Sequence, residues 1–431
     1  MLRAMKLTNV GPISNMEMEL GNRLNLVTGD NGLGKSFLLD IAWWSLTRKW
    51  PAEVNSRLPT GLMARPHESG KASIEITLTV KSKSVTYVSN FDRKSQAWTG
   101  KPGRPLNPGL VLYAQVNGVF SVWDPARNYW RKNGNVDVQD RPPAYVFNSS
   151  EVWDGLRDEE RGLLCNGLIS DWAGWQKEKG QVFKNLCALL ETLSPSHEEK
   201  IIPGELTRIG LDDPRDVPTI KMPYGQSVPV LHASAGIRRI IALAYLLVWC
   251  WEEHLKASKL LDQEPTSQVV FLIDEIEAHL HPKWQRRIIS ALLGAMNILT
   301  PKADVQIVTA THSPLVMASV EPCFDTGKDA WFDLDFILDE KNNARVELVK
   351  RPFVRRGDVS NWLTSDAFDL TSARSMEAEK VLKEAAIAMS DDSFDAQKAR
   401  KLDAQLRDVL GDTDPFWMRW CFVADKKGWL P

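Results

Sequence analysis

The chain has 431 residues, 53 Lys+Arg against 55 Asp+Glu, and a formal charge of −2 at pH 7. That length suits two or three lobes around more than one core, and the near-neutral balance excludes steering to nucleic acid by overall charge, leaving a local basic patch as the only electrostatic route. The five cysteines, Cys165, Cys187, Cys250, Cys323 and Cys421, are odd in number and scattered without a C-x-x-C pair, which excludes a disulfide or zinc framework and predicts reduced thiols in a cytoplasmic protein.

The N-terminal stretch "MLRAMKLTNV" has no signal-peptide core. The first fifty residues read as three strands, a loop and a helix. "RLNLVT" (Arg23 to Thr28) is an apolar strand, and "KSFLLDIAWWSL" (Lys35 to Leu46) is a helix apolar nearly all round. Between them lie Gly29, Asp30, Asn31, Gly32, Leu33, Gly34, Lys35 and Ser36, which fit G-x-x-x-x-G-K-[ST] in the strand–loop–helix context that this motif requires. Glycines let such a loop fold tightly enough for amide N–H groups to face phosphate oxygens. The helix N-terminus adds its partial positive charge. Lys35 is then placed to reach the outer phosphates, and the Ser36 hydroxyl to ligate Mg²⁺.

Residues 71–124 change character. "ASIEITLTV", "SVTYVSNF" and "GLVLYAQV" are β-rich and separated by polar turns, which predicts an antiparallel sheet. Residues 125–150 read as loop. From Val152 to about Leu193 the pattern is helical, with "WDGLRDEERGLLCNGLISDWAGW" as an amphipathic piece. Residues 194–230 read as irregular and Pro-rich. "SVPVLHASAG" then enters a long helix in which Ser234 fits an N-cap. Its apolar run "IIALAYLLVWCW" is too short to span a bilayer, so no membrane segment is predicted. "QVVFLID" is a buried strand with Asp274 and Glu275 at its end. A carboxylate there can lie beside the phosphate loop of an open α/β sheet, Asp274 holding Mg²⁺ and Glu275 orienting or deprotonating water. After another helix, "DVQIVTATHS" is a strand followed by His312. Strands alternating with helices imply a parallel sheet. The tail from Arg374 reads as helical and charged, and carries the aromatic stretch "DPFWMRWCF".

Taken in order, these motifs resemble the ABC-type ATPase heads of the RecF, SMC and OLD branch. Gly29–Ser36 resembles the Walker A, Ser234-Ala235-Gly236 the signature, Asp274-Glu275 the Walker B and His312 the switch histidine. "EAHLHP", Glu277 to Pro282, resembles the D-loop, which accounts for the His279/His281 pair without a metal. Gln115, in "LYAQVNG", is the Q-loop candidate and in that role a further Mg²⁺ ligand. "ASAG" departs from the fuller LSGG form of the signature. The resemblance implies an α/β fold: a P-loop head with a parallel-sheet core, an antiparallel β-lobe, a helical lobe and a C-terminal helical tail. The implied divisions are 1–70, 71–150, 151–230, 231–345 and 346–431. It also implies ATP and Mg²⁺ as ligands. Two ATPs would lie between two protomers, with Ser234 and Gly236 of one facing the loop of the other, in a homodimer or higher even-numbered oligomer.

SMC heads carry long coiled-coil arms, and no heptad run is present here. OLD-type proteins carry a C-terminal nuclease domain, for which the residues after Arg345 are too few and too helical. A narrower resemblance is to bacterial anti-phage ATPases, the Septu PtuA proteins and retron-associated relatives. It rests on "GDNGLGKSFLLD", "DEIEAHLHPKWQRRI", "THSPLVMAS" and "WLTSDAFDLTSARSMEAE". This implies an ATPase that controls a separately encoded nuclease or other toxic effector, with the tail as its candidate docking surface. The alternative is a RecF-like repair clamp whose ATP-bound dimer grips duplex DNA.

Overall fold

The computed structural model describes residues 1–67, 69–80, 83–100, 106–128, 142–338 and 344–429. Strands β1 (Leu2–Val10), β2 (Ile13–Glu19) and β3 (Leu24–Gly29) lead into α1 (Lys35–Thr47) and the single turn α2 (Pro51–Val54). Six strands follow: β4 (Ser73–Val80), β5 (Lys83–Asp92), β6 (Ala97–Trp98), β7 (Leu110–Ala114), β8 (Phe120–Trp123) and β9 (Tyr145–Phe147). Then come α3 (Ser149–Asp154), β10 (Leu156–Asp158), β11 (Gly162–Cys165), α4 (Leu168–Glu178), α5 (Gln181–Thr192), β12 (Ile202–Pro203), β13 (Thr219–Lys221) and β14 (Ser227–Pro229). The long α6 (Ala235–Leu260) precedes β15 (Gln268–Asp274), α7 (Pro282–Gln285), α8 (Ile288–Leu299), β16 (Asp304–Ala310), α9 (Pro314–Val320), β17 (Ala330–Leu338) and β18 (Ala344–Arg351). The chain ends with α10 (Val359–Leu363), α11 (Met376–Ser390), α12 (Ala396–Val409) and α13 (Phe416–Lys426). Two units result, Met1–Gly357 and Asp358–Pro431.

In the first unit, eight strands form one sheet in the order β18-β17-β3-β16-β15-β7-β8-β9. β17, β3, β16, β15 and β7 run parallel, and antiparallel strands close both sides. The apolar runs of β3 and β15 fit this place, since a parallel strand covered on both faces needs no polar alternation. A second sheet, β2-β1-β4-β5-β6, contributes Met5, Leu7, Ile74 and Ile76 to one buried core with Leu38, Leu39 and Trp43 of α1 and with Val27 and Leu272 of the main sheet. This explains why α1 is apolar nearly all round: it lies between two layers.

Four expectations change. β7 belongs to the main sheet, in parallel with β15 through Leu110↔Val269 to Ala114↔Ile273, and not to a separate β-lobe. Its five residues are all buried, the pattern of a two-sided strand and not of an antiparallel lobe. The segment from Trp153 to Trp175 is not one helix. Gly155 (φ 105°) and Gly167 (φ 85°) break it, and a Cβ on Gly167 would lie 2.3 Å from Gly155 N, so the β10–β11 hairpin closes only with glycine there. The stretch 194–230 contains the three-stranded sheet β12-β13-β14. The division at 345/346 falls inside β18, which is paired along its whole length with β17. The prolyl loop expected over 125–150 lies in part, 129–141, outside the described residues.

The second unit is a helical body with its own core. Ala385, Ala388, Ala399, Leu402, Leu406, Trp420 and Trp429 are buried there. Trp420 Nε1 donates to Asp403 Oδ1 at 2.8 Å, and Arg407 Nε donates to Asp403 Oδ2 at 2.8 Å. Trp420, from the aromatic stretch "DPFWMRWCF" of the candidate docking surface, belongs to this core together with Trp429, and Trp417 packs against it. The apolar residues that α13 presents to solvent are Met418 and Phe422.

Candidate functional site

Parallel pairing brings the C-terminal ends of five strands to one edge. Gly29 lies opposite Leu334, Ala310 lies between Val27 and Asp274, and Ala114 is opposite Ile273. The loops that leave this edge carry Asp30–Ser36, Glu275, Thr311–His312 and Gln115, the place where open α/β sheets bind ligands.

The glycine loop owes its path to backbone geometry. Gly29, Gly32 and Gly34 have φ of 130°, 83° and 103°, values that side-chain-bearing residues rarely adopt. Gly29 also passes so close to β17 that a Cβ would sit 2.3 Å from Leu334 O. Gly34 is the N-cap of α1, and Asp30, Asn31 and Ser36 face solvent while Leu33 is buried. Lys35 is buried, and its Nζ donates to Gly29 O and Asp30 O, each at 2.8 Å. Those two bonds curl the loop around the ammonium and leave its third donor for a ligand. Burial lowers the Lys35 pKa, and the nearby Glu275, Asp274, Asp30 and Glu277 raise it in part.

Asp274 is buried at the end of β15 beside the Ser36 side chain, and its Oδ1 has no partner. Burial pushes its pKa up, and the neighbouring Ser36 hydroxyl opposes this. An orphaned buried carboxylate oxygen beside a hydroxyl, within the field of a lysine, is a donor set that fits Mg²⁺, a hard cation that takes oxygen ligands and keeps several waters. Glu275 follows in the left-handed region (φ 46°), an uncommon conformation for a side-chain-bearing residue. Its Oε1 lies 3.1 Å from His312 Nε2. Burial and the neighbouring Lys35 lower the His312 pKa, so the ring is neutral at pH 7 and its Nε2–H donates to Glu275.

Glu277 holds the loop after β16. Its Oε1 accepts from Thr311 Oγ1 at 2.6 Å and from His312 N at 2.7 Å. Its buried position raises its pKa. Gln285 continues the scaffold, accepting from Ser313 Oγ at 2.7 Å and donating to Leu280 O at 2.9 Å.

The structure thus brings together Lys35, Ser36, Asp274, Glu275 and His312. It places Ser234, Gly236 and Gln115 otherwise. Ser234 is exposed, and its Oγ accepts from Ile237 N at 3.5 Å as the N-cap of α6. Gly236 lies under the loop after Glu275, where a Cβ would sit 2.8 Å from His279 O. Gln115 Oε1 accepts from Thr60 Oγ1 at 2.8 Å, its buried Nε2 has no partner, and it lines a cavity of about 290 Å³ with Phe120, Val152, Ala235 and Leu243. His281 caps α7 through Nδ1, which accepts from Lys283 N.

Two residues at this edge escaped the sequence reading. Arg239 donates to Val116 O and, at 2.9 Å, to Glu275 O, so α6 is tied to the end of β15. No motif announces it. Asp40, half-buried on α1, accepts from Tyr113 Oη at 3.0 Å and is pushed up to about pH 7, first by burial and then by Asp274. Its signal was available: Asp40 is four residues after Ser36 and shares its helix face.

The family model described as "AAA domain, putative AbiEii toxin, Type IV TA system" matches residues 24–318. The chain is similar to the "Retron Ec83 probable ATPase" of Escherichia coli, 26% identical over 208 residues, which are 47% of this chain and 33% of that protein. It is similar to the "Septu protein PtuA" of Bacillus thuringiensis, 22% identical over 319 residues, 73% of this chain and 72% of that one. With the "Retron Vc95 probable ATPase" of Vibrio cholerae serotype O1 biovar El Tor it shares 30% identity over 250 residues, 57% of this chain and 44% of that one. The matched part therefore spans a third of the Ec83 protein and under half of the Vc95 protein. Among solved structures, the "SMC head domain from Thermotoga maritima" aligns with TM-score 0.39 and 14% identity, over 81% of this chain and 98% of that one.

Proposed function

The chain belongs to this AAA-domain family, and from that premise we propose that it binds and hydrolyses ATP with Mg²⁺ as a dimer closed around two nucleotides. In this reading it controls a separately encoded effector, a nuclease or other toxic protein, in anti-phage defence. The observation that carries the nucleotide reading is the cluster at one sheet edge: a positive-φ glycine loop curled on Lys35, the Ser36–Asp274 pair with an orphaned carboxylate oxygen, and Glu275 against a neutral His312.

Loop amides and the Lys35 ammonium bind the phosphates. Mg²⁺, held by Ser36 and Asp274, supplies charge neutralisation when bound. Glu275 accepts the proton of the attacking water, and its geometry is fixed twice, by His312 at the side chain and by Arg239 at the carbonyl. The hydroxyl of Ser234 is exposed at an α6 N-terminus, suited to meet the nucleotide of a second copy. The effector role rests on the likeness to proteins named for Septu and retron systems.

The test mixes two variants. Lys35→Ala alone abolishes ATP turnover, and Ser234→Arg alone does the same. In an equal mixture with free exchange, about half the dimers are heterodimers by binomial mixing, each with one intact shared site, so partial turnover returns. Turnover by Lys35→Ala at the wild-type rate overturns the nucleotide reading, and no rescue with heterodimers present overturns the shared site. Purification from the native operon separates the roles: a co-purifying nuclease supports effector control, and salt-sensitive retention of duplex DNA supports the clamp.

A further inference from the structure

Lys35, Ser36, Asp274, Glu275 and His312 provide for phosphates and metal, and none of them is suited to a nucleobase. Sheet order supplies the direction in which a base must lie. The metal and acid groups all stand to one side of β3: His312 follows β16, and Asp274 and Glu275 end β15, in the order β17-β3-β16-β15. A triphosphate on Gly29–Ser36 with its terminal phosphate toward that cluster runs its nucleoside the opposite way, over β17.

β17 is shaped to receive it. Gly29 and Leu334 are register partners in close approach, and no side chain on Gly29 stands between loop and strand. β17 continues past this point, paired with β18 through Phe336↔Val346 and Leu338↔Ala344. Two residues of strand carry Phe336 about 7 Å beyond the level of Gly29. Phe336 shares the face of Leu334, because alternate strand residues do, and Leu334 packs with α1 in the same core. The ring therefore stands on the side of the sheet from which α1 presents its N-terminus. Phe336 is 53% exposed and Leu338 60% exposed, two large apolar side chains on a hairpin beside the loop. The β1–β2 turn walls the loop at its outer face, with Pro12 Cγ 3.0 Å from a Cβ placed on Gly34, and β18 packs beside β2.

We propose that Phe336 is the platform on which the purine base of the nucleoside triphosphate stacks, with Leu338 extending its apolar surface. The proposal rests on Gly29–Ser36 being the phosphate cradle. A phenyl ring recognises the π-face of a base and not its hydrogen-bonding edge. Phe336 therefore contributes affinity for ATP and GTP alike and none for a ligand without a base.

The experiment measures binding of ATP, GTP and inorganic tripolyphosphate to the full chain by calorimetry with Mg²⁺. It compares wild type, Phe336→Ala, Phe336→Leu and Phe336→Tyr. Phe336→Ala and Phe336→Leu raise the Kd for ATP and GTP roughly tenfold and leave tripolyphosphate unchanged, and Phe336→Tyr binds all three as wild type does. The proposal is overturned if ATP binds Phe336→Ala as tightly as wild type. It is equally overturned if ATP and tripolyphosphate weaken together, since Phe336 would then only support the strand. If wild type binds neither ATP nor tripolyphosphate, the cradle reading fails and takes the platform with it.

Discussion

His312 and His254 each face a carboxylate at hydrogen-bond distance. His312 Nε2 is 3.1 Å from Glu275 Oε1, and His254 Nδ1 is 2.7 Å from Asp124 Oδ1. The second pair even has a serine in line, with Ser258 Oγ 3.5 Å from His254 Nε2, the order of a hydrolytic triad. Yet it has no way to act. His254, Asp124 and Ser258 are each 2% exposed, and His254 Nε2 already accepts from Thr266 N at 2.9 Å. The ring proton therefore sits on Nδ1 and is donated to Asp124, which also accepts from Ala126 N at 2.8 Å. That pair fastens the C-terminal half of α6 to the turn after β8. His312 is half-buried beside Lys35, with Glu275 similarly accessible. In the proposed reading the same two residue types serve a reaction where solvent and ligand can enter; in the interior, where both ring nitrogens of His254 are engaged, they serve folding.

The sharpest way to break this contrast is at Glu275. Glu275→Gln keeps shape and loses the base, so hydrolysis falls about 10²–10³-fold while ATP remains bound. Single-turnover phosphate release with a parallel binding isotherm checks it, and near wild-type turnover moves the base to Glu277. His254→Ala acts on the other property. It removes one of the two donors to Asp124, leaves Thr266 N without its acceptor and costs about 3 kcal/mol of stability, with ATP affinity unchanged below the unfolding transition. Urea midpoints and calorimetry separate the two effects, and lost turnover at unchanged stability would make the buried pair functional. His312→Gln completes the square: turnover falls roughly tenfold, and the urea midpoint moves by less than about 0.5 kcal/mol equivalent.

The elements at the reaction edge were legible because their chemistry is local. Gly29–Ser36 announces itself by spacing, and "VVFLID" by an apolar run that ends in acid. Gln115 was legible as the end of a strand, but not which sheet that strand joins, since its partner β15 is far away in sequence. The hairpin β10–β11 was read as helix because apolar residues recur there at helical intervals, and the glycines that cancel the helix weigh little in a periodicity argument. Arg239 and the Asp124–His254 pair were invisible for a different reason. Each depends on a contact across more than a hundred residues, Arg239 to Val116 O and His254 to Asp124, and nothing local to either residue marks it. Trp417 and Trp420 were visible, but not whether they would cover their own helices or a partner.

The smallest expected effect concerns a third carboxyl, which separates the cost of burial from its compensation. Asp124 accepts from two donors through one oxygen, whereas the donor facing Asp40 is Tyr113 Oη at 3.0 Å, with the Asp274 carboxylate nearby. The folded Asp40 pKa rises from 3.8 to about 7, burial first, Asp274 adding to it and the Tyr113 hydrogen bond opposing it. A raised carboxyl pKa means that the folded chain holds a proton that the unfolded chain has released. The stability linked to Asp40 is therefore fully present below pH 3.8, is lost as pH rises through about 7, and stays lost above. Asp40→Asn keeps an Oδ1 acceptor for Tyr113 and removes the titration. The variant is more stable than wild type by about 1 kcal/mol at pH 8, and the gap closes toward pH 4. Urea unfolding of the nucleotide-free protein at both values reads this directly. A gap that widens on acidification would mean that Asp40 is held as a carboxylate, in which case the phosphate-loop edge compensates its buried charges as fully as the Asp124–His254 pair does.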